Sequence, residues 1–367
     1  MVDTDILIVG GGIAGAGLGA ALGGRRRTLL IEAEDLCGRH ATGRSAAFWL
    51  ESYGGPAVAP LTRASRAPLA DQGWLSPRGA IHLDRGGGGD AFAALPGLEE
   101  VDRAGLETRI PGLKPEWRRG LLEPSCADID VGALHADCLA RLRNAGGTVR
   151  TGAALAGAER RGGIWHVTMS DGETVTAAIL VNAAGAWADE VARRAGVAPI
   201  GIAPKRRTMI QLRVGRSGLR ELPLVTDVAG GFYFKGESER SIWLSPHDEG
   251  DSDPCDAAPD EIDVATAIAR FEEVVDWPVE AVERSWAGLR SFAPDRIPVY
   301  GFDRVEGFFW CAGQGGFGIQ TAPAASALAA AMLLGETPAL SPAAFDPARF
   351  GVVKSVPGRR RLATKTR

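Results

Sequence analysis

Three glycines near the start of the chain have the spacing of a phosphate-binding turn. They form the pattern GxGxxG directly after an apolar, strand-like run and at the start of a helical stretch of small residues. Such glycines allow a tight turn, let a pyrophosphate approach the backbone, and bring the helix against the strand. The helix N-terminus then faces the phosphates, where its amide groups favour negative charge. The residues predicted to contact a dinucleotide in this turn are Gly10, Gly12, Ile13, Ala14 and Gly15.

A carboxylate follows at the end of a second apolar strand, which is predicted over residues 28–31. Glu32 stands about 20 residues beyond the glycine turn, where an acidic side chain accepts hydrogen bonds from ribose hydroxyls. Its charge disfavours a 2′-phosphate, and Ala33 beside it is predicted to contact the nucleotide. The chain has 49 glycines, so the glycine pattern alone is weak evidence. The order strand, GxGxxG, helix, strand and glutamate is far more specific and predicts a βαβ dinucleotide unit.

Three further segments favour FAD over NAD. Residues 40–47, HATGRSAA, offer Gly, Ser and Arg to a second phosphate and small residues to a flat ring. Residues 181–185, VNAAG, look like the second strand-to-turn contact of flavoproteins with two dinucleotide folds. Residues 313–318, GQGGFG, form a second strand-to-helix turn, whose helix N-terminus can stabilise the negative charge of a reduced flavin. The predicted cofactor contacts in these segments are Gly43, Arg44, Ser45, Ala46, Ala184, Gly185, Trp187, Gly315, Gly316, Gly318, Ile319, Gln320 and Thr321.

Two kinds of pattern alternate along the chain and predict an α/β fold of two domains. Buried, parallel-type strands are predicted at 5–9, 28–31, 178–181 and 307–312, and a helix at 130–144. From about 204 to 289, strand-like stretches alternate with turns, and one helix is predicted over 260–275. The predicted domains are a discontinuous Rossmann-type FAD domain (1–74, 126–200 and 288–350), an α+β substrate domain on an antiparallel sheet (75–125 and 201–287), and a basic, flexible tail (351–367).

Composition excludes several other classes of protein. The 367 residues carry a formal net charge of −4, from 41 basic and 45 acidic side chains, so no basic field suits nucleic acid. No segment reaches the roughly 20 apolar residues of a membrane span, and no signal peptide opens the chain. The five scattered cysteines predict neither a disulfide framework nor a zinc site, and no metal is expected. A cytoplasmic location fits best.

Blocks of sequence along most of the chain resemble the D-amino-acid-oxidase-like FAD-dependent oxidoreductases, most closely the bacterial D-arginine dehydrogenases. The resemblance covers about residues 3–335. It implies non-covalent FAD, hydride transfer from the α-carbon of an amino acid, and an imino acid that water hydrolyses to a 2-oxo acid and ammonia. The blocks are HATGRSAA (40–47), Tyr53-Gly54, LTRASRA (61–67), LSPR (75–78), VNAAGAW (181–187), PKRR (204–207), WAGLRSF (286–292), EGFFW (306–310) and GQGGFGIQT (313–321).

The resemblance assigns roles to individual residues of the site. It implies that Arg290 and Arg207 hold the substrate carboxylate, since a guanidinium can bind a carboxylate through two hydrogen bonds and so aim the α-hydrogen at the flavin. Tyr53 and Tyr233 match tyrosines that flank the substrate. Gly316 and Gln320, already predicted to contact the cofactor, match a loop that touches substrate and flavin.

Three departures from the resembling enzymes predict an altered substrate pocket. Phe48 replaces an active-site histidine, Leu50 replaces a threonine, and Ala80 stands where a glutamate receives a substrate guanidinium. We therefore expect apolar or cyclic substrates, such as D-Leu, D-Met, D-Phe or D-Pro, rather than D-Arg or D-Lys. The alternative is that Glu51 supplies the missing carboxylate.

The sequence offers no evident general base. The histidines His82, His135, His166 and His247 lack metal-ligand spacing and are interpreted as ordinary surface or core residues. A neutral amine needs no base, and its deprotonation can go to solvent. Two alternatives stay open: an oxidase of glycine, sarcosine or another secondary amine, and a flavin subunit of a larger amino-acid dehydrogenase complex. The electron acceptor can be oxygen, a quinone or another molecule, and the chain can form oligomers.

Overall fold

A computed structural model describes residues 3–86 and 97–351 of the chain. Of the predicted basic tail, residues 352–367 lie outside this part. Within the described part, no helix combines the length and apolarity needed to cross a bilayer.

The first sheet has eight strands around a parallel core, as the βαβ pattern predicts. The core runs in the order β9, β2, β1, β12, β19, and Val9 is in register with both Ile31 and Asn182. The carboxyl ends of the strands therefore meet at one edge, where ligands bind in open α/β sheets. The strands are β1 (Thr4–Val9), β2 (Thr28–Ile31), β9 (Thr148–Arg150), β10 (Leu155–Arg161), β11 (Ile164–Met169), β12 (Thr174–Asn182), β18 (Val299–Phe302) and β19 (Phe308–Ala312).

Three helices pack over this sheet, and the first of them contacts the other two. They are α1 (Ile13–Leu22), α4 (Val131–Asn144) and α7 (Gly318–Leu334). Small residues let α1 lie close to its neighbours, and Ile6, Leu18 and Leu142 belong to one buried cluster between sheet and helices. The two glycine-rich turns of the sequence thus lie at the N-termini of two neighbouring helices.

The second sheet has nine strands and is antiparallel except where β14 runs parallel to β5. Its order is β20, β17, β13, β16, β15, β14, β5, β7, β6. The strands are β5 (Ala80–Asp84), β6 (Glu99–Val101), β7 (Arg119–Glu123), β13 (Ala203–Val214), β14 (Leu224–Asp227), β15 (Tyr233–Gly236), β16 (Ser241–Ser245), β17 (Val279–Phe292) and β20 (Gln314–Gly315). The predicted boundary between residues 287 and 288 falls inside β17, which continues unbroken to Phe292.

The remaining elements join or cover the two large sheets. A small third sheet pairs β8 (Ala127–Ile129) with β3 (Phe48–Trp49) and β4 (Leu75–Pro77). The other helices are α2 (Ala59–Asp71), α3 (Arg103–Arg109), α5 (Ala188–Arg194) and α6 (Glu261–Glu272). The helix predicted over 260–275 is shorter than expected, because Asp260 caps its N-terminus and its last turn ends at Glu272. The predicted α/β fold class is confirmed.

Candidate active site

A cavity of about 550 Å³ lies at the carboxyl edge of the parallel strands and extends to the antiparallel sheet. Gly10 and Glu32 line it from the first sheet, and Tyr233 and Arg290 line it from the second. Both halves of the chain therefore contribute walls to a single site.

The GxGxxG turn packs tightly against the neighbouring backbone only because its glycines lack side chains. Gly10 has φ +110°, and a Cβ there would overlap the carbonyl oxygen of Ala183. A Cβ at Gly15 would overlap the carbonyl oxygen of Gly10. No side chain caps Gly12 at the start of α1, and the amide of Ile13 donates to Oγ1 of Thr42 at 2.9 Å. A helix N-terminus that opens into a cavity fits the pyrophosphate of a dinucleotide.

The carboxylate of Glu32 lies beside this turn, and two backbone amides fix its orientation. One oxygen accepts the Gly11 amide at 2.7 Å, and the other accepts the Glu34 amide at 3.0 Å. Each oxygen can accept a further hydrogen bond, which suits the hydroxyls of a ribose. On the far side of the turn, Nε2 of His135 lies 2.8 Å from the Gly11 carbonyl oxygen, and burial lowers the pKa of His135. These contacts hold the turn in shape.

Most of the residues predicted to form the site line this cavity, and four do not. Gly15, Gly43 and Thr321 lie behind the wall, where Thr321 donates its hydroxyl hydrogen to the Phe317 carbonyl. Ala80 is fully buried. The predicted residues that line the cavity are Gly10, Gly12, Ile13, Ala14, Glu32, Ala33, Arg44, Ser45, Ala46, Phe48, Leu50, Tyr53, Ala184, Gly185, Trp187, Arg207, Tyr233, Arg290, Gly315, Gly316, Gly318, Ile319 and Gln320.

Arg44 lies in the wall but does not present a free guanidinium to a phosphate. Its nitrogens donate to the carbonyl oxygens of Ala257 and Ala287 at 2.7 and 2.8 Å and to the carboxylate of Asp256. The phosphate contact predicted for this side chain therefore differs from its observed role. Arg44 ties the segment at 40–47 to the second sheet instead.

Arg290 places its guanidinium beside the glycine-rich turn at 313–318. It donates to the phenol oxygen of Tyr53 at 2.5 Å and to Glu249 at 2.7 Å, while its buried Nε has no partner among the described residues. A Cβ at Gly316 would overlap both the Tyr53 hydroxyl and the guanidinium. This close approach explains the glycine at that position.

Arg207 joins the same cluster from the neighbouring strand. Its Nε donates to the Asp248 carbonyl oxygen at 2.8 Å, and its guanidinium lies 5.8 Å from the Tyr233 ring centre. Glu249 also accepts hydrogen bonds from Arg296 at 2.9 Å. Three guanidinium groups thus face two carboxylates, those of Asp248 and Glu249. Counted with Arg296, the three guanidinium groups and two carboxylates leave one formal positive charge, which suits a single carboxylate of a ligand.

Aromatic and aliphatic side chains form the wall next to the arginines. The Phe48 ring lies edge-on to Tyr53 and Tyr233, with ring centres 6.2 and 5.8 Å away. Burial raises the pKa of both tyrosines, so they remain neutral phenols at neutral pH. Leu50 and Met209 complete this apolar wall.

Ala80 does not supply the extra space expected at the substrate pocket. It packs with Leu50, Cys126 and Tyr233 in a buried cluster. His82, two residues along the same strand, lines the cavity instead. A strand places residues i and i+2 on one face, so this alternation was the signal that could have found His82.

A buried pair of His82 and Glu123 supports the loop that carries Tyr53. Nε2 of His82 lies 3.0 Å from one Glu123 oxygen, and the other oxygen accepts the amides of Glu51 and Ser52 at 2.8 and 3.2 Å. Although burial opposes ionisation, hydrogen bonds from His82 and Ser52 hold the pKa of Glu123 below its ordinary value. No local sequence pattern marks Glu123, because its partners come from two distant segments.

Two side chains predicted to contact the substrate have protein partners in the structure instead. Glu51, the alternative carboxylate for a basic substrate, pairs with Arg63 and does not line the cavity. The Gln320 amide lines the cavity, but its nitrogen donates to the Tyr53 carbonyl oxygen at 3.1 Å and to Thr62 at 3.0 Å. Gln320 therefore fixes the Tyr53 loop against α7.

Known proteins match the chain over most of its length. The family described as FAD dependent oxidoreductase (DAO) matches residues 5–332. Glycine oxidase of Pseudomonas aeruginosa is 28% identical over 269 residues, which cover 71% of this chain and 66% of that protein. Bifunctional protein ThiO/ThiG of Nostoc sp. is 26% identical over 238 residues, which cover 64% of this chain and 35% of that protein. The chain spans between 35% and 54% of the length of three curated relatives.

Solved structures share the fold at lower sequence identity. Glycine oxidase from Geobacillus kaustophilus aligns with a TM-score of 0.80 and 21% identity, over 95% of this chain and 99% of that one. L-proline dehydrogenase from P. horikoshii aligns with a TM-score of 0.83 and 19% identity, over 95% and 98%. The open α1 N-terminus, the glycine turn and the placed Glu32 carboxylate fit the cofactor that the family name states. The chain belongs to the DAO family of FAD-dependent oxidoreductases, and its cofactor is non-covalently bound FAD.

Proposed function

We propose that the protein catalyses the FAD-dependent oxidative deamination of a D-amino acid with an apolar side chain. The arginine cluster carries the proposal: Arg207, Arg290 and Arg296 bring three guanidinium groups to two carboxylates, beside an apolar, aromatic wall. This arrangement suits a ligand with one carboxylate and an apolar side chain.

Arg290 has the role of carboxylate anchor in this proposal. Its terminal nitrogens donate to Tyr53 and Glu249 in the cavity wall, so an incoming carboxylate meets the charged end of the guanidinium there. A guanidinium that binds a carboxylate through two hydrogen bonds also fixes its orientation. Arg207, next to Tyr233, adds a second charge on the same side. With the carboxylate held, the α-carbon is restricted to a small part of the cavity.

Tyr53, Tyr233 and Phe48 surround that part of the cavity and exclude water from it. Because burial keeps both tyrosines protonated, they act as hydrogen-bond donors and as apolar surface rather than as bases. Bound FAD supplies the two-electron acceptor. The amino acid loses a hydride from its α-carbon and a proton from its nitrogen, and water converts the resulting imino acid to a 2-oxo acid and ammonia.

The names of several similar proteins support an amine-containing substrate. They include glycine oxidase, L-proline dehydrogenase and L-amino acid deaminase from Proteus vulgaris. Two of these names state the L-configuration and glycine is achiral, so the choice of the D-enantiomer rests on the resemblance of the sequence to D-arginine dehydrogenases alone. A second candidate function is oxidation of glycine or a secondary amine, which the glycine oxidases and an iminodiacetate oxidase favour.

The proposal is tested by anaerobic bleaching of the flavin absorbance of the purified holoenzyme. The substrate panel contains D- and L-forms of Leu, Met, Phe, Pro and Arg, together with glycine and sarcosine. We expect rapid bleaching by the apolar D-amino acids and little by D-Arg. Bleaching by glycine and sarcosine alone would select the second candidate. Bleaching by none would contradict amino acid oxidation by the isolated chain.

A further inference from the structure

His247 lies in the substrate part of the cavity with its tautomer fixed by the backbone. Its Nδ1 stands 2.8 Å from the carbonyl oxygen of Gly230, and a carbonyl oxygen only accepts hydrogen bonds. In the neutral ring Nδ1 therefore carries the hydrogen, and Nε2 carries a lone pair. Among residues 3–86 and 97–351, no group forms a hydrogen bond to Nε2, and the ring lines the cavity.

The backbone around His247 is constrained in a way that is uncommon for a non-glycine residue. His247 has φ +58°, and its amide donates to Oγ of Ser245 at 3.1 Å. Such conformations persist where the surrounding contacts impose them, and they concentrate at functional sites. The ring lies edge-on to Tyr233, with centres 5.7 Å apart.

The same loop also places the two substrate-side arginines. Asp248 and Glu249 follow His247 directly and form hydrogen bonds with Arg207 and Arg290. One short segment therefore sets the positions of an uncharged acceptor and of two guanidinium groups. An amino acid presents the complementary pair, an amine donor and a carboxylate, on one carbon.

The ring stays neutral when the site operates near neutral pH. Burial, helped by the positive charge of Arg207, lowers the pKa of His247 to about 4, while the Gly230 carbonyl and the charges of Glu249 and Asp227 oppose the shift. A neutral imidazole accepts a hydrogen bond from an ammonium group or an amine, whereas an imidazolium would repel the ammonium.

We propose that Nε2 of His247 accepts a hydrogen bond from the α-amino group of the substrate and so acts as its amine-binding residue. The inference rests on the proposed function, since it requires an amino acid in the site. The carboxylate on Arg290, the amine on His247 and the side chain against Phe48 then make three contacts from one carbon. Three contacts are the minimum that distinguishes enantiomers.

The variant His247→Asn tests the inference without straining the backbone. Asparagine tolerates a positive φ, and its side chain is too short to reproduce the position of Nε2. The matched control is His166→Asn, on β11, whose side chain does not line the cavity. Two ligands are compared through perturbation of the flavin spectrum and through steady-state kinetics: the best amino acid from the panel and 4-methylpentanoate, a carboxylate without an amine.

We expect the KM for the amino acid to rise about tenfold or more in His247→Asn, the size of one lost hydrogen bond to a charged group. The Kd for 4-methylpentanoate should change less than threefold, and His166→Asn should change neither value. An equal loss for both ligands would show a merely structural role, and an unchanged KM would overturn the inference. Failure of the proposed function is distinct, because then no amino acid would bleach the flavin of the unmodified enzyme.

Discussion

The nucleotide end and the amino-acid end of the cavity are built in different ways. The nucleotide end uses backbone: glycines without side chains, a helix N-terminus, and the Glu32 carboxylate fixed by two amides. The amino-acid end uses charged side chains from separate strands and loops, above all Arg207, Arg290 and Glu249. One added methyl group in the backbone-built end should abolish FAD binding. In the end built from side chains, the loss of substrate binding should grow with the charge that a substitution removes.

Gly15→Ala tests the backbone end and has the largest expected effect. The new methyl group would overlap the Gly10 carbonyl, so the turn must open, and we expect the protein to purify without FAD. The measurement is the ratio of flavin to protein absorbance. Gly157→Ala is the control, because its Cβ meets no atom closer than 4.0 Å and should leave the ratio unchanged. Full flavin content in Gly15→Ala would contradict a backbone-built phosphate site.

Arg290→Met tests the side-chain end. Removal of the anchoring charge should lower kcat/KM for the amino acid about a thousandfold, because both carboxylate binding and α-carbon orientation are lost. The flavin content should remain that of the unmodified protein. Arg240→Met, which removes a half-exposed arginine paired with Glu280, should change kcat/KM less than twofold. A small effect of Arg290→Met on kcat/KM would contradict the role of Arg290 as the carboxylate anchor.

Glu123→Ala tests how much the loop that carries Tyr53 depends on the buried Glu123 carboxylate. It removes the buried carboxylate that accepts from the amides of Glu51 and Ser52 and pairs with His82, so we expect the free energy of unfolding to fall by about 3 kcal/mol. Denaturant titration measures this value. Glu280→Ala, which breaks an exposed ion pair, should cost less than about 0.5 kcal/mol. Equal values for the two variants would show that the loop does not depend on Glu123.

A pH titration of stability tests the charge state at the amino-acid end. The pKa of His247 is about 4 in the folded protein and near 6.5 in the unfolded chain. Between these values the unfolded chain binds more protons, so stability is fully present above pH 6.5 and falls as the pH decreases toward 4. We expect the unmodified protein to lose about 1.4 kcal/mol more than His247→Asn between pH 8 and 5.5. Parallel pH curves for the two proteins would contradict a neutral buried ring.

The parts that the sequence predicts well are those whose signals are local. The βαβ unit, the α4 helix and the glycine turn each depend on residues close together in the chain, and the structure has all three. Arg207 and Arg290, the two residues that the resemblance assigns to the substrate carboxylate, both line the cavity. Their roles remain proposals.

The parts that the sequence missed depend on contacts between distant segments. Glu123 and His82 are 41 positions apart, and His247 becomes distinctive only through a carbonyl 17 positions away. The resemblance predicts Ala80 in the pocket, but the structure buries it behind the wall, and His82, on the same face of the strand, lines the cavity instead. Arg44 shows the same limit, because its partners Ala257 and Ala287 lie more than 200 positions away and cannot be read from the 40–47 segment.

Anaerobic reduction by D-leucine and by 3-methylbutylamine, which lacks only the carboxylate, tests the central claim most directly. The two compounds share the amine and the apolar side chain, so any difference in bleaching rate reports the contact between carboxylate and guanidinium. We predict fast bleaching by D-leucine and bleaching at least a hundredfold slower by 3-methylbutylamine. Equal rates would mean that the arginine cluster does not anchor the substrate, and oxidation of a carboxylate-held amino acid would be contradicted.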